Sequence, residues 1–293
     1  MTATRWVAGR AVHPIGLGCM PMSIEGRPAE REAIRVIHAA LGHGVELLDT
    51  ADVYAIGEDD VGHNETLVGR ALRAWSGDRA RVVVATKGGV TRPGGGWAHD
   101  ARPEHLRRAC EASLARLGIE RIPLYQLHAV DERVSIEESV GELARLRDEG
   151  KLAAIGVSNV TVEELERARS AAEIVSVQNR LGFYDREPLA SGMAAVCERE
   201  GITLIAHSPL GGWKAGGIAH HPLLQAIGRH HGITPHQVVL AWLLARSPAI
   251  LPIPGASKVD NAIASAGAAA ITLAADELAA IEAAAGDHST LRS

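Results

Sequence analysis

The stretch Leu47–Tyr54, LLDTADVY, begins with a short apolar run that stops at the ionisable residue Asp49. A second stretch, Val82–Lys87, VVVATK, repeats the pattern and stops at Lys87. A charged side chain at the end of a buried, β-prone run is costly unless that end lies at a polar site. We therefore predict two strands whose ends meet at one polar site, with Tyr54 shortly after the first.

Outward from these segments, short apolar strands alternate with amphipathic helices. We predict a hairpin over residues 4–13, eight strand–helix units, and two final helices over roughly 259–269 and 274–285. Regular alternation is typical of a parallel sheet, and eight units in 293 residues favour a closed barrel. The predicted fold is of the α/β class: a (β/α)8 TIM barrel with a short N-terminal β-hairpin and an extra C-terminal helix, forming a single domain over residues 1–293.

Several helix starts are indicated by proline or by capping residues. Pro28 is predicted to lie in the first turn of a helix, where its missing N–H does no harm. Thr161 with Glu164, and Thr234 with Gln237, match the capping box, in which each residue bonds the backbone N–H of the other.

The composition excludes several classes of protein. The formal net charge is −5, no basic stripe is present and 3% of residues are aromatic, so nucleic-acid binding is not expected. Three widely spaced cysteines, Cys19, Cys110 and Cys197, indicate neither a disulfide framework nor a zinc knuckle. With no apolar leader and no apolar run of about 20 residues, we expect a cytoplasmic protein with no membrane partner. We expect it to be a monomer or weak homo-oligomer that acts on a small molecule.

Two glycine motifs do not match nucleotide-binding signatures. Gly16-Leu17-Gly18 lacks the third glycine of the dinucleotide fingerprint, and Gly94–Gly96 is not followed by Gly-Lys-Ser/Thr. We interpret Gly94–Gly96 as a mobile active-site loop. Four nearby side chains are candidates for substrate walls, with ordinary packing as the alternative: Met20, Met22, Trp97 and Trp213.

Two histidine pairs, His220-His221 and His230-His231, together with His236, suggest a metal site at first sight. No H-E-x-x-H motif is present, and neighbouring residues of a helix point in different directions. We therefore predict a solvated helix flank and no metal site.

Polar residues recur where the predicted strands stop. They are Asp49, Lys87, His128, Ser158, Asn159, Gln178, His207 and Ser208. In a (β/α)8 barrel the carboxyl ends of all strands form one rim, and the active site lies there. Each residue alone has an ordinary explanation as a cap, a solvated end or a core histidine. Their recurrence at corresponding strand ends predicts an active site.

The residue types at these ends suit proton transfer. Tyrosine is a weak acid, with a reference pKa of about 10, and a nearby ammonium such as that of Lys87 lowers this pKa. Asp49 can serve as the counter-ion of Lys87, and His128 can donate a hydrogen bond to a substrate oxygen. The set favours general acid–base chemistry on a carbonyl or alcohol and suits metal chemistry poorly.

Eight segments together resemble the aldo-keto reductases. They are LLDTADVY (47–54), NETLVGRAL (64–72), VVVATK (82–87), LYQLH (124–128), GVSN (156–159), VQN (177–179), SPLGG (208–212) and PIPGASK (252–258). The resemblance implies a (β/α)8 barrel that reduces carbonyl compounds with NADPH, NADH being less favoured. It also implies a catalytic tetrad of Asp49, Tyr54, Lys87 and His128, with Tyr54 as the proton donor.

The resemblance further implies contacts with NADPH. Ser158, Asn159 and Gln178 match the residues that bind the nicotinamide amide, and His207 matches the aromatic ring that stacks on the nicotinamide. Ser208, Leu210 and Gly211 match the pyrophosphate loop. Ser257 and Lys258, in the loop with Gly255, match the 2′-phosphate positions, and Ser265 matches an adenine contact.

Some positions depart from the family pattern. His207 stands where an aromatic ring is usual, Ala129 where Arg often follows the tetrad histidine, Ala55 where Gly is usual, and Ala264 in place of an acidic neighbour of the adenine. The segments around SPLGG and ARSPAILPIPGASK are similar to the bacterial pyridoxal-reductase-like branch, which makes pyridoxal one candidate substrate. Two other functions remain open. One is an NADPH-binding regulatory barrel with little turnover, like the β-subunits of potassium channels. The other is a lyase or isomerase that uses Lys87 as a Schiff base.

Overall fold

Twelve strands are present in the computed structural model, which describes residues 4–212 and 215–285. They are β1 (Arg5–Val7), β2 (Arg10–Val12), β3 (Leu17–Gly18), β4 (Leu47–Asp49), β5 (Val83–Gly88), β6 (Val90–Thr91), β7 (Ala98–His99), β8 (Leu124–Leu127), β9 (Ile155–Ser158), β10 (Ser176–Arg180), β11 (Thr203–His207) and β12 (Ile250–Ile253). Strands β1 and β2 pair antiparallel around Ala8-Gly9, which confirms the predicted hairpin.

Eight of these strands form a parallel sheet in chain order, β3-β4-β5-β8-β9-β10-β11-β12. The first strand and the last segment close it, because Gly18 bridges Gly255 in parallel. The backbone N–H of Gly16 donates to the carbonyl oxygen of Pro252 at 2.9 Å, and that of Gly18 donates to Pro254 at 3.1 Å. The sheet is therefore a closed (β/α)8 barrel, as predicted.

Helices surround the barrel. They are α1 (Glu30–Gly42), α2 (His63–Ala74), α3 (Pro103–Leu117), α4 (Ile136–Asp148), α5 (Val162–Ala171), α6 (Glu187–Ala190), α7 (Met193–Glu200), α8 (Ala215–His220), α9 (Pro222–His231), α10 (Pro235–Arg246), α11 (Val259–Gly267) and α12 (Ala275–Ala284). Thr161 and Thr234 begin α5 and α10 with the predicted capping boxes. Pro28 lies before α1, whose cap is Ala29, so the prediction that Pro28 starts the helix is wrong by two residues. None of the helices described is both long and apolar enough to cross a membrane.

The core has two layers, and the strands alternate between them. In β5, Val83 and Ala85 belong to a cluster inside the barrel, while Val84 belongs to the larger cluster between sheet and helices. Because side chains alternate along a strand, Lys87 lies on the interior side with Val83 and Ala85. Val7 and Val12 of the hairpin join the interior cluster, so the hairpin covers the amino-terminal end of the barrel.

Two segments differ from the sequence prediction. The apolar run Ile15–Met20 predicts the first barrel strand, but the strand covers Leu17–Gly18 alone, and a 3₁₀ turn over Met20–Met22 follows it. The glycine segment after Thr91 forms a turn between the short antiparallel strands β6 and β7, a hairpin that the sequence did not predict. Trp97 in this hairpin is 54% exposed and lies against Arg92, whose Cζ is 4.2 Å from the ring centroid. Trp213 lies outside the described residues.

Candidate active site

The strand register brings the predicted polar residues to one end of the barrel interior. Successive side chains of a strand point to opposite faces of the sheet, so residues two positions apart share a face. By this rule each predicted residue falls on the barrel-interior face; for example, Asp49 follows interior Leu47 by two positions. The residues so placed are Asp49, Lys87, His128, Ser158, Gln178 and His207. All lie within two residues of the carboxyl end of a strand, where the rim of a barrel holds its active site.

Lys87 is at the centre of this group and is fully buried. Its Nζ lies 2.7 and 2.8 Å from the two carboxylate oxygens of Asp49, 2.9 Å from the carbonyl oxygen of Thr50 and 3.0 Å from the Oη of Tyr54. An ammonium has three protons to donate, and these oxygens use them all. The ion pair and the phenol are therefore one connected unit.

The charges of this unit set its protonation. Burial lowers the pKa of Lys87, but the Asp49 carboxylate and Tyr54 outweigh burial and hold that pKa above its ordinary value. Burial raises the pKa of Tyr54, and the neighbouring ammonium of Lys87 offsets this rise only in part. The ammonium thus acts in the predicted direction without producing a net decrease. At neutral pH the phenol holds its proton and the lysine is charged.

His128 lies beside the phenol. Its ring meets the Tyr54 ring edge to face, with centroids 5.8 Å apart. Burial first, and then the charge of Lys87, hold the pKa of His128 well below its ordinary value, so the imidazole is neutral. Its Nδ1 is buried without a hydrogen-bond partner. A neutral imidazole carries one N–H and can donate it to a substrate oxygen.

A hydrogen-bonded chain links the predicted amide-binding residues to the ion pair. Gln178 donates its Nε2–H to Oδ1 of Asp49 at 2.7 Å, across the barrel interior from β10 to β4. Ser158 Oγ donates to the backbone carbonyl of Gln178 at 2.8 Å. Asn159 Nδ2 donates to Ser158 Oγ at 3.1 Å and to the carbonyl of His128 at 2.9 Å. These residues are together at the rim, and their contact with a nicotinamide amide stays a prediction.

His207 completes the rim on the side of β11. Its Nε2 lies 3.3 Å from Oδ1 of Asn159 and its Nδ1 lies 3.2 Å from Oγ of Ser208. The amide oxygen can only accept, so Nε2 carries the proton. Burial, helped by the charge of Arg180, lowers the pKa of His207 to about 3, so its ring is neutral. Asn159 and Ser208 have φ of 56° and 51°, left-handed conformations that are uncommon for non-glycine residues.

A cleft of about 630 Å³ opens above these residues. Seven predicted site residues line it: Asp49, Tyr54, His207, Ser208, Leu210, Gly255 and Ser265. Gly211 lies within the loop that lines it. Lys258 is exposed and, next to Ser257, immediately precedes α11; it is not among the residues that line the cleft. Met20 is also a lining residue, whereas Met22 is buried in the core.

Sequence reasoning missed several residues of the cleft. Arg180 lines it from the end of β10, where it pairs in register with His207. Its position two residues after Gln178 on the same strand was a usable signal, because side chains two apart share a face. The other missed residues approach from helices and loops: Pro21, Ile24, Thr234, His236, Gln237 and Asn261.

The start of α2 braces the segment that carries Tyr54, a role the sequence did not predict. Asn64 accepts a hydrogen bond from Thr50 Oγ1 at 2.6 Å. Glu65 accepts one from Thr86 Oγ1 at 2.6 Å and pairs with Arg116 at 2.9 Å. Thr50 follows Asp49, and Thr86 precedes Lys87. These buried hydrogen bonds therefore fix the residues next to both members of the ion pair.

Comparison with known proteins agrees with this geometry. The sequence model of the family described as "Aldo/keto reductase family" matches residues 14–285. The probable aldo-keto reductase 1 of Glycine max is 33% identical over 300 residues, which cover 92% of this chain and 84% of that protein. An aldo/keto reductase from Klebsiella pneumoniae, solved with NADP and acetate, superposes with a TM-score of 0.82 at 28% identity, over 98% of this chain and 96% of that one. A glycerol dehydrogenase from Gluconobacter oxydans gives a TM-score of 0.84 at 26% identity, over 97% and 95% of the two chains.

Proposed function

This chain belongs to the aldo/keto reductase family, and from that membership we propose that it is an NADPH-dependent reductase of aldehydes or ketones. The observation that carries the proposal is the contact of Lys87 Nζ with both Asp49 and the Tyr54 hydroxyl. A buried phenol held by a buried ammonium is a proton donor whose conjugate base is stabilised as it forms.

The cleft suits NADPH as the cofactor. Its lining residues include Tyr54, His207 and Ser265 of α11, so it joins the proton donor to the helix that follows the last barrel strand. Gly18 and Gly255 line it without side chains, and a Cβ on Gly255 would meet Pro21 at 2.7 Å. The Klebsiella pneumoniae relative was solved with NADP. We propose that His207 lies against the nicotinamide, that the loop Ser208–Gly212 covers the pyrophosphate, and that Lys258 meets the 2′-phosphate.

Each residue then has a defined part in the reduction. NADPH, when bound, supplies a hydride to the carbonyl carbon. Tyr54 gives its hydroxyl proton to the carbonyl oxygen, and Lys87 stabilises the phenolate that forms. Asp49 keeps Lys87 charged and in place, and the neutral imidazole of His128 donates a hydrogen bond that orients the carbonyl. Solvent then returns a proton to Tyr54.

The state of Lys87 argues against the alternative of Schiff-base chemistry. Such a lysine must attack as a neutral amine with an accessible lone pair. Lys87 is fully buried, bonded to oxygens of three residues, and its pKa is raised. Reduction by hydride transfer needs the opposite, a permanently charged lysine.

The proposed function is tested by NADPH oxidation with a panel of aldehydes and ketones that includes pyridoxal. Tyr54→Phe should lower kcat by roughly 10²–10⁴-fold while NADPH affinity, measured by fluorescence, stays unchanged. Tyr125→Phe is the matched control, because Tyr125 is a buried tyrosine of β8 on the outer side of the sheet. Equal rates for wild type and Tyr54→Phe would contradict the assignment of Tyr54. Tight NADPH binding with no turnover on any carbonyl would favour the regulatory barrel instead.

A further inference from the structure

A cluster of metal-ligating side chains lies away from the cleft, where the end of α9 meets the start of α12. It consists of His230 and His231, the last two residues of α9, and Glu277 in the first turn of α12. The ligand atoms of the three side chains all lie within 4.8 Å of one another. Among the residues that the structure describes, this is the one group of three or more His, Cys, Asp and Glu with such spacing.

The two histidines do not diverge in the way expected of neighbouring helix residues, so that argument against a metal site does not hold. Neighbouring helix residues usually diverge, but these two are the last residues of α9, and their ring centroids lie 4.8 Å apart. Nδ1 of His230 is 3.1 Å from Oε1 of Glu277, and Nε2 of His231 is 2.9 Å from the same oxygen. Both imidazoles therefore converge on one carboxylate oxygen.

These separations suit an ion placed between the ligands. Nitrogen–oxygen distances of 2.9–3.1 Å correspond to an angle of roughly 90–100° at a metal about 2.05 Å from each atom. The two nitrogens need at most a shift of about 1 Å to reach a common ion. The His230 side chain, 75% exposed, is free to make that shift.

Glu277 can bind an ion without losing its role in α12. Its Oε2 accepts the backbone N–H of Ala274 at 2.8 Å, which caps the helix. This bond fixes the carboxylate, as supporting hydrogen bonds do in metal sites, with Oε1 toward both histidines and Oε2 also 2.9 Å from Nε2 of His231. The remaining positions around an ion there would be open to water.

We propose that His230, His231 and Glu277 form a binding site for one divalent transition-metal ion of the zinc class, joining α9 to α12. Two imidazoles and one carboxylate are ligands that zinc accepts, and they do not suit magnesium or calcium, which prefer oxygen. Each imidazole coordinates through the nitrogen that now faces Glu277, so its proton moves to the other ring nitrogen or to solvent. This site is independent of the proposed reductase activity.

The test is zinc titration of the full-length, tag-free, EDTA-treated protein by calorimetry, with thermal unfolding as a second readout. Wild type should bind one zinc ion and gain thermal stability with zinc. His231→Ala and Glu277→Gln should each weaken binding by at least roughly tenfold and lose that gain. The side-chain carbonyl of glutamine can still accept the backbone N–H of Ala274, so Glu277→Gln separates ligand loss from helix damage.

His43→Ala is the matched control. His43 is an exposed histidine just after α1 whose Nδ1 bonds the carbonyl of Ala39, so its removal should leave zinc binding unchanged. The proposal is wrong if wild type takes up no zinc, or if His231→Ala and Glu277→Gln bind it as well as His43→Ala does. Comparable loss in all three variants would indicate nonspecific surface binding and would also overturn it.

Discussion

Asp49 and Lys87 form an almost completely buried ion pair: the side-chain exposures are 3% and 0%, with Nζ and Oδ1 2.7 Å apart. The pair is completed by neutral donors and acceptors, with Gln178 on the carboxylate and the Thr50 carbonyl and Tyr54 hydroxyl on the ammonium. A buried pair of this kind adds little net stability over an apolar pair, but breaking it leaves an uncompensated charge.

Lys87→Met should therefore destabilise the protein strongly. The Asp49 carboxylate would stay buried with Gln178 as its remaining side-chain donor, and we expect a loss of about 3–5 kcal/mol in the free energy of unfolding. Urea denaturation of wild type and variant at neutral pH measures it. Reductase activity should fall as well, since Tyr54 loses the ammonium beside its hydroxyl.

A double-variant cycle separates this charge effect from loss of packing. Asp49→Asn added to Lys87→Met removes the unpaired carboxylate, so the double variant should be more stable than Lys87→Met alone. If the two substitutions instead destabilise additively, the carboxylate does not depend on the ammonium, and the description of the pair as one unit is incorrect.

His207 predicts a dependence of stability on pH. The pKa of His207 in the folded chain, about 3, lies below the ordinary value near 6.5. Between these two pH values His207 is therefore protonated in the unfolded chain and neutral in the folded chain. The contribution of neutral His207 to the free energy of unfolding is fully present above about pH 6.5 and is lost as the pH falls toward 3. The free energy of unfolding should decrease by about 1.4 kcal/mol per pH unit for this one proton.

His207→Phe should reduce that slope between about pH 6 and about pH 4 by one proton's worth, as measured by urea denaturation at several pH values. The slope is compared, not the absolute stability, because carboxylates such as Glu277, whose pKa is lowered to about 2, titrate equally in both proteins. Identical slopes for wild type and His207→Phe would show that His207 is not held neutral.

Closure of the barrel predicts a third result. A Cβ on Gly18 would lie 2.9 Å from the carbonyl oxygen of Ile253, a backbone atom that cannot move aside without shifting β12. Gly18→Ala should cost about 1–3 kcal/mol in the free energy of unfolding. Gly57→Ala is the control, because a Cβ there meets nothing within 4 Å. Equal stability of the two variants would mean that the contact closing the barrel tolerates an added methyl group.

The fold and the centre of the site follow from patterns that the sequence displays directly. Apolar runs that stop at Asp49 and Lys87 place strand ends, and the alternation of side chains along a strand places both residues inside the barrel. Eight repeats then bring distant strand ends to one rim. These steps depend on local periodicity and on topology, and both can be read along a single chain.

Other features depend on packing between elements far apart in sequence. The bond from Gln178 to Asp49 crosses the barrel, and no local pattern specifies it. The approach of His230 and His231 to Glu277 depends on how α9 ends against α12. The left-handed backbone at Ser208 carries no glycine to signal it. Such contacts emerge only when helix and loop positions are fixed in three dimensions.

The capping box of α10 links stability to the cleft. Thr234 Oγ1 accepts the N–H of Gln237 at 3.3 Å, Gln237 accepts the N–H of Thr234 at 3.0 Å, and both residues line the cleft. Ser135 and Glu138 form the same motif at the start of α4, outside the residues that line the cleft.

Thr234→Ala and Ser135→Ala should each cost about 1 kcal/mol in the free energy of unfolding, since each removes one cap. Thr234→Ala alone should also weaken NADPH binding, because it loosens a wall of the cleft. Unfolding measurements combined with NADPH titration test both parts, and equal NADPH affinity in the two variants would indicate that this wall does not contact the cofactor.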